Sequence, residues 1–236
     1  MTHPDMHLVL LPGLDGTGKL FTPFIEQFPD RSQITVIEYP RDRHIPYRHL
    51  AEYITPFLPK DKPLVLLGES YSGPISLILA SRSELNVHAV ILVATFARYP
   101  SSFLKRITKY LPLSFLFRLS IPEFGIRHYC FGSDTNKTLS RLLRQSVKEN
   151  LSGILAQRAR DGSKIDVTNI LHKVKVPCLY IAASQDRLVP HTAIKDLQDK
   201  LPNIQVVTVE GPHFILQVQP RQCYTIVTNF LSTISE

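Results

Sequence analysis

The stretch Pro63-Leu64-Val65-Leu66-Leu67-Gly68-Glu69-Ser70-Tyr71-Ser72-Gly73 decides the architecture. Its first half is apolar on consecutive positions, which suits a strand covered on both faces inside a parallel sheet. It runs at once into PISLILA from residue 74, which predicts a helix over 74–83. A serine on so tight a strand-to-helix turn projects its hydroxyl from the top of the sheet, and the strained backbone demands small neighbours. Gly68 is one of them. Ser72 stands where the G-x-S-x-G pattern has its second glycine, and Gly73 follows directly. Ser70 is therefore a candidate nucleophile; the plainer reading is a serine that caps the helix.

Working outward, short β-rich apolar runs alternate with helical patterns. HLVLLPG (7–13), QITVIEYP (33–40), VHAVILVATF (87–96), VPCLYIAAS (176–184) and IQVVTVEG (204–211) read as strands. Helices are predicted over 47–58, with Pro56 placed to kink or end it, over 192–201, and from about 214 onward with a break near Pro220. This rhythm predicts an α/β fold with a mostly parallel central sheet flanked by helices. Between 97 and 166 no strand of similar strength occurs, and helices are expected at 102–110, 114–120, 138–148 and 151–160. The expected organisation is a core of residues 1–96 and 167–236 with a helical cap of residues 97–166 inserted into it.

A serine hydroxyl needs a base, and the base needs a third group to fix its tautomer. Asp186, in ASQDRLVP, follows one core strand, and His213, in EGPHF, follows the next. Both loops lie beyond carboxyl ends of strands, where such sheets place their ligands. The order Ser70, Asp186, His213 is the order this kind of site uses. Asp186 could instead cap the helix near Pro190, and His213 could make only a structural hydrogen bond. Among the other histidines His191 is the nearest rival, but it shares the acid's own loop. Acyl transfer also requires donors for a developing oxyanion. The glycine-rich loop PGLDGTG (12–18) lets backbone amides approach an anion. The N–H groups of Leu14 and Tyr71 are the expected oxyanion hole. The same loop ends GTGKL, which lacks a phosphate-binding P-loop pattern and a dinucleotide fingerprint.

The quartet PGLDGTG, GESYSG, ASQDRLVP and EGPHF resembles the α/β-hydrolase superfamily over all of the chain except 97–166. The oxyanion loop comes so near the start that the first strands of larger members look to be missing. The resemblance implies a serine hydrolase that cleaves carboxylic ester or thioester bonds through an acyl-enzyme on Ser70, without cofactor or metal. Members that are dehalogenases and epoxide hydrolases use an aspartate where this chain has Ser70. Two alternatives stay open: an acyltransferase on the same triad, and a non-catalytic ligand-binding protein built on the same scaffold.

Composition bounds the setting. The 236 residues, 44% hydrophobic and 20% charged, suit one globular core. The polar first residues and the short apolar run 8–11 do not make a signal peptide, and no run approaches the roughly 20 apolar residues of a membrane span. Cys130, Cys178 and Cys223 fit no metal or disulfide pattern, and Cys178 reads as a buried small residue. A reducing, cytoplasmic setting is expected. The net charge of +7 is uneven: residues 98–164 hold 13 Lys and Arg against four Asp and Glu, and the rest of the chain is slightly acidic. The segment FLKRITKYLPLSFLFRL (103–119) mixes large apolar side chains with cations. One reading is an acyl pocket with Lys105, Arg106 and Lys109 facing outward to steer an acidic acyl carrier. A second is adsorption to anionic lipid, and a third is an ordinary solvated cap. No recognition motif accompanies the charge, so nucleic acid is not an expected partner.

Overall fold

In the computed structural model, which describes residues 6–100, 112–119 and 121–234, six parallel strands form one sheet in the order β2-β1-β3-β4-β5-β6. The strands are β1 (His7–Leu11), β2 (Ile34–Val36), β3 (Leu64–Glu69), β4 (Val87–Val93), β5 (Cys178–Ala183) and β6 (Ile204–Val209). The longer helices are α1 (Tyr47–Ile54), α2 (Gly73–Ala80), α3 (Lys137–Lys148), α4 (Ser152–Gly162), α5 (Ala193–Lys200) and α6 (Pro220–Thr233).

Strand alternation assigns the two cores. Val9 and Leu11, Leu64 and Leu66, and Tyr180 and Ala182 face one side, where they meet Leu50 and Ile54 of α1, Ile75 and Leu79 of α2, and Leu197 of α5. Leu8 and Leu10, Val65 and Leu67, and Leu179 and Ile181 face the other, against Phe24, Phe28, Val227 and Phe230. Both faces of β3 are fully buried, as its unbroken apolar run requires. Cys178 lies within the first of these cores.

Sheet order also positions the site. From β1 the order runs to β2 on one side and to β3 on the other, with Leu11 in register with Gly68. The loop after β1 and the turn after β3 therefore leave the carboxyl edge of the sheet side by side, at a switch point of the kind that holds ligands.

Several element boundaries differ from the sequence expectation. β2 is three residues long because the backbone leaves the ladder early, and the Tyr39 N–H donates to the Gly16 carbonyl at 2.8 Å. The helix from Tyr47 stops at Ile54 and tightens into a 3₁₀ turn, Thr55–Phe57, around Pro56. The last helix is broken at Gln219 into Ile215–Val218 and α6, with Pro220 at the first position of the second piece. Between β4 and β5, α3 and α4 lie within a residue or two of the expected helices, but the helix expected over 114–120 is a single turn, Leu113–Leu116. A π-helical turn, Ile126–Phe131, occurs where no helix was expected. The helix expected at 102–110, with Lys105, Arg106 and Lys109, lies outside the described residues. Among the described residues no helix is long and apolar enough to cross a membrane.

Candidate active site

Ser70 sits between β3 and α2 with φ +51°. A left-handed backbone at a residue with a Cβ costs about 1–2 kcal/mol, so the surroundings must enforce it. They do so from three sides. A Cβ on Gly68 would lie 2.2 Å from Ser76 Oγ, and one on Gly73 would lie 2.1 Å from Thr95 Oγ1. Thr95 Oγ1 in turn donates to the Ser70 carbonyl, and Thr95 is itself held by Tyr180, whose hydroxyl donates to its carbonyl at 2.7 Å. Ser72 is fully buried and does more than fit: its Oγ donates to the Pro12 carbonyl and lies 2.5 Å from the Tyr39 hydroxyl.

The three residues singled out in the sequence come together. His213 Nε2 is 2.9 Å from Ser70 Oγ, and His213 Nδ1 is 2.8 Å from Asp186 Oδ2. The other carboxylate oxygen of Asp186 accepts from the backbone N–H groups of Leu188 and Val189, both at 2.8 Å. Asp186 thus orders its own loop with one oxygen and meets the imidazole with the other. The two loops are tied together, since Gln185 N–H donates to the Gly211 carbonyl at 2.8 Å and Gly211 N–H to Ser184 Oγ at 3.3 Å. Gly211 itself has φ +150°, open only to glycine in practice. His191 bonds to the Ser184 carbonyl instead and takes no part in the cluster.

The Pro12–Gly18 loop lies against Ser70: a Cβ on Gly13 would come within 3.9 Å of Ser70 Cβ. A turn closes through Gly16 N–H to the Gly13 carbonyl at 3.0 Å, with Leu14 and Asp15 at its corners. No described residue accepts the Leu14 N–H. Asp15 is buried, and burial holds its carboxyl above the ordinary carboxylate range, although Thr17 N–H and Oγ1 both donate to it.

Sequence reasoning missed four buried groups here. Glu69, next to Ser70, accepts from Gln217 Nε2 at 3.0 Å, and burial pushes its carboxyl up to about 7. Tyr39, Asn150 and Arg158 all reach the Pro12–Gly18 loop or the turn at Ser72. For Tyr39 and Arg158 the signal was Gly16, whose left-handed φ of +69° and missing Cβ leave them room; Glu69 and Asn150 carried none. Beside the acid and base loops a cleft of about 370 Å³ is lined by Arg127, His128, Arg187, Gln185 and Pro212, among others. Among the described residues no group of three or more His, Cys, Asp or Glu is arranged to hold a metal ion.

A sequence profile described as the alpha/beta hydrolase fold matches residues 50–220. The chain is 26% identical over 245 residues to a pimeloyl-[acyl-carrier protein] methyl ester esterase of Aeromonas salmonicida, covering 97% of this chain and 95% of that one. It is 25% identical over 182 residues to the biotin biosynthesis bifunctional protein BioHC of Cellvibrio japonicus, covering 72% of this chain but only 36% of that longer protein. Among solved structures it is similar to an enol-lactonase from Burkholderia xenovorans (TM-score 0.80, 15% identity, 98% and 92% of the two chains). It is also similar to MenH from S. aureus (TM-score 0.77, 18% identity, 98% and 95%).

Proposed function

The chain belongs to the α/β-hydrolase fold family, and on that premise we propose that it is a serine-dependent carboxylic-ester hydrolase acting on acyl groups presented by an acidic acyl carrier. The observation that carries the chemistry is the single imidazole of His213 within hydrogen-bond reach of both Ser70 Oγ (2.9 Å) and Asp186 Oδ2 (2.8 Å). The carrier rests on the relative named as a pimeloyl-[acyl-carrier protein] methyl ester esterase and on the surplus of cations between residues 98 and 164.

In this reading His213 Nε2 takes the Ser70 hydroxyl proton as Oγ attacks the ester carbonyl carbon, and Asp186 stabilises the resulting imidazolium. The carbonyl π-electrons move to oxygen, and that oxyanion accepts from the Leu14 and Tyr71 N–H groups. Collapse of the tetrahedral intermediate breaks the bond to the alcohol, which leaves with the proton from His213. The acyl-Ser70 ester is then opened by water, deprotonated by the same imidazole, and the acid departs as Ser70 regains its proton. In this reading the insertion between β4 and β5 serves as a cap, and the arginine-lined cleft beside Gln185 and Pro212 favours an anionic partner at its lip.

The test pairs fluorophosphonate labelling with hydrolysis of p-nitrophenyl esters of increasing chain length. Wild type should label and turn over, and Ser70→Ala should do neither. A Ser70→Ala variant that keeps its turnover, or a wild type that neither labels nor hydrolyses any ester, would overturn the assignment.

A further inference from the structure

Arg158 is the most heavily engaged buried charge among the described residues. It stands on α4, in the segment between β4 and β5, yet its guanidinium lies under the turn that follows β1. Nη1 donates to the carbonyls of Leu14 (3.1 Å) and Asp15 (2.9 Å) and to Asn150 Oδ1 (3.3 Å), and Nη2 donates to the Pro40 carbonyl at 2.7 Å. The ring of Tyr39 lies under the cation, 5.5 Å from centroid to Cζ, within the range of a cation–π contact. Asn150 completes the grip, its Nδ2 donating to the Asp15 carbonyl and to the Ser146 carbonyl, each at 2.9 Å.

The fit is reciprocal. A Cβ on Gly16 would lie 2.5 Å from Arg158 Nη1 and 2.9 Å from Tyr39, so the glycine is what admits the cation. Burying a guanidinium is costly unless its donors are used, and a contact made only to anchor one helix on another needs no cation. The planar fork can hold several carbonyls of one turn at fixed angles, which the point charge of a lysine cannot.

The orientation of the turn is what matters chemically. The Gly13 carbonyl, which shares one planar peptide with the Leu14 N–H, accepts from Gly16 N–H, and the carbonyls of the next two peptides, Leu14 and Asp15, are held by Arg158. That peptide can hold its direction only while the turn stays closed, and Arg158 closes it by fixing the two peptides that follow, which leaves the Leu14 N–H one direction. We propose that Arg158, assisted by Asn150, is a positioning residue that fixes the Leu14–Asp15 turn so that the Leu14 N–H is aimed at the developing oxyanion. This rests on the reading of Ser70 as nucleophile and Leu14 as oxyanion donor. It makes the inserted segment part of the transition-state machinery as well as a cover for substrate.

The experiment measures kcat and KM on a short neutral p-nitrophenyl ester for wild type, Arg158→Lys, Arg158→Ala and Asn150→Ala. Rates are normalised to sites titrated by a fluorophosphonate, so misfolded protein does not count. Loss of a well-aimed oxyanion donor lowers kcat by about 100-fold. Arg158→Ala is expected to lose about that much kcat per titrated site with KM changed less than about threefold. Asn150→Ala should lose less, and Arg158→Lys should recover only a small part. Added ethylguanidinium should raise the rate of Arg158→Ala and leave wild type unchanged. A purely structural anchor would instead lower the titratable fraction and the melting temperature while kcat per site stayed within about threefold of wild type, and that result overturns the proposal. If Arg158→Ala yields no titratable protein, Asn150→Ala decides on the same criterion. An active Ser70→Ala control would place the failure in the underlying reading instead.

Discussion

The Tyr39 hydroxyl lies 2.5 Å from Ser72 Oγ, and because Ser72 spends its only proton on the Pro12 carbonyl, the tyrosine must be the donor. The serine that departs from the G-x-S-x-G pattern is thus a relay linking the turn at Ser70 to the loop after β1. Ser72→Gly, which restores the pattern, should therefore destabilise the protein, by about 1–3 kcal/mol, since it leaves a buried hydroxyl and a carbonyl without partners. A double-mutant cycle with Tyr39→Phe, followed by urea unfolding, should give a coupling of about 1 kcal/mol. Strictly additive losses would show that the two hydroxyls do not support one another.

The split role of Asp186 gives a sharper expectation for its amide. In Asp186→Asn the side-chain oxygen is retained by the Leu188 and Val189 N–H groups, which turns the amide NH₂ toward His213. The imidazole must then accept at Nδ1 and carry its proton on Nε2, the tautomer that cannot take the Ser70 proton. A fall in kcat of about 10³–10⁴-fold with little change in melting temperature is expected. A fall of less than about tenfold in ester hydrolysis would contradict the role given to Asp186.

The sheet and the three residues Ser70, Asp186 and His213 were legible in the sequence because each obeys a local rule. Unbroken apolar runs mark strands covered on both faces, and polar residues immediately after such runs must lie at the carboxyl edge. What could not be read shares a different character. Arg158 belongs to an amphipathic helix whose period says only that one side is buried, and its partners Leu14, Asp15 and Pro40 lie more than a hundred positions away. Tyr39 sits in a run that reads as strand, and only the loss of ladder pairing after Val36 turns it toward Gly16. Glu69 occupies the variable position of the motif, where nothing in the pattern signals burial.

That buried carboxyl predicts an unusual pH response. Glu69 titrates near 7 when folded against 4.5 as its ordinary value, chiefly because burial penalises the anion. Between those two pH values the folded chain binds the proton that the unfolded chain has lost, so stability falls as pH rises through that window. The loss from this group is about 3 kcal/mol once pH exceeds 7. Asp15, also raised by burial, acts in the same direction. Glu69→Gln, which keeps the shape and removes the charge, should flatten the wild-type decline in unfolding free energy between pH 4.5 and 7. Parallel curves for the two proteins in urea titrations at several pH values would show that Glu69 does not carry it.

The asymmetric charge makes the carrier assignment testable without knowing the acyl chain. Cations outnumber acids 13 to four between residues 98 and 164, and Arg127 and Arg187 line the cleft beside the acid and base loops. A cationic lip raises the encounter rate with an acidic carrier, and salt removes that advantage as the Debye length shrinks from about 30 Å at 0.01 M to a few ångströms at 1 M. It does nothing for a neutral ester, whose approach feels no net force. Raising ionic strength across that range should therefore cut kcat/KM on an acyl-carrier methyl ester by about tenfold or more. The same change should leave kcat/KM on a p-nitrophenyl ester nearly constant. Equal responses of the two substrates would remove the electrostatic argument for a carrier, and the ester-hydrolase assignment would then rest on Ser70, His213 and Asp186 alone.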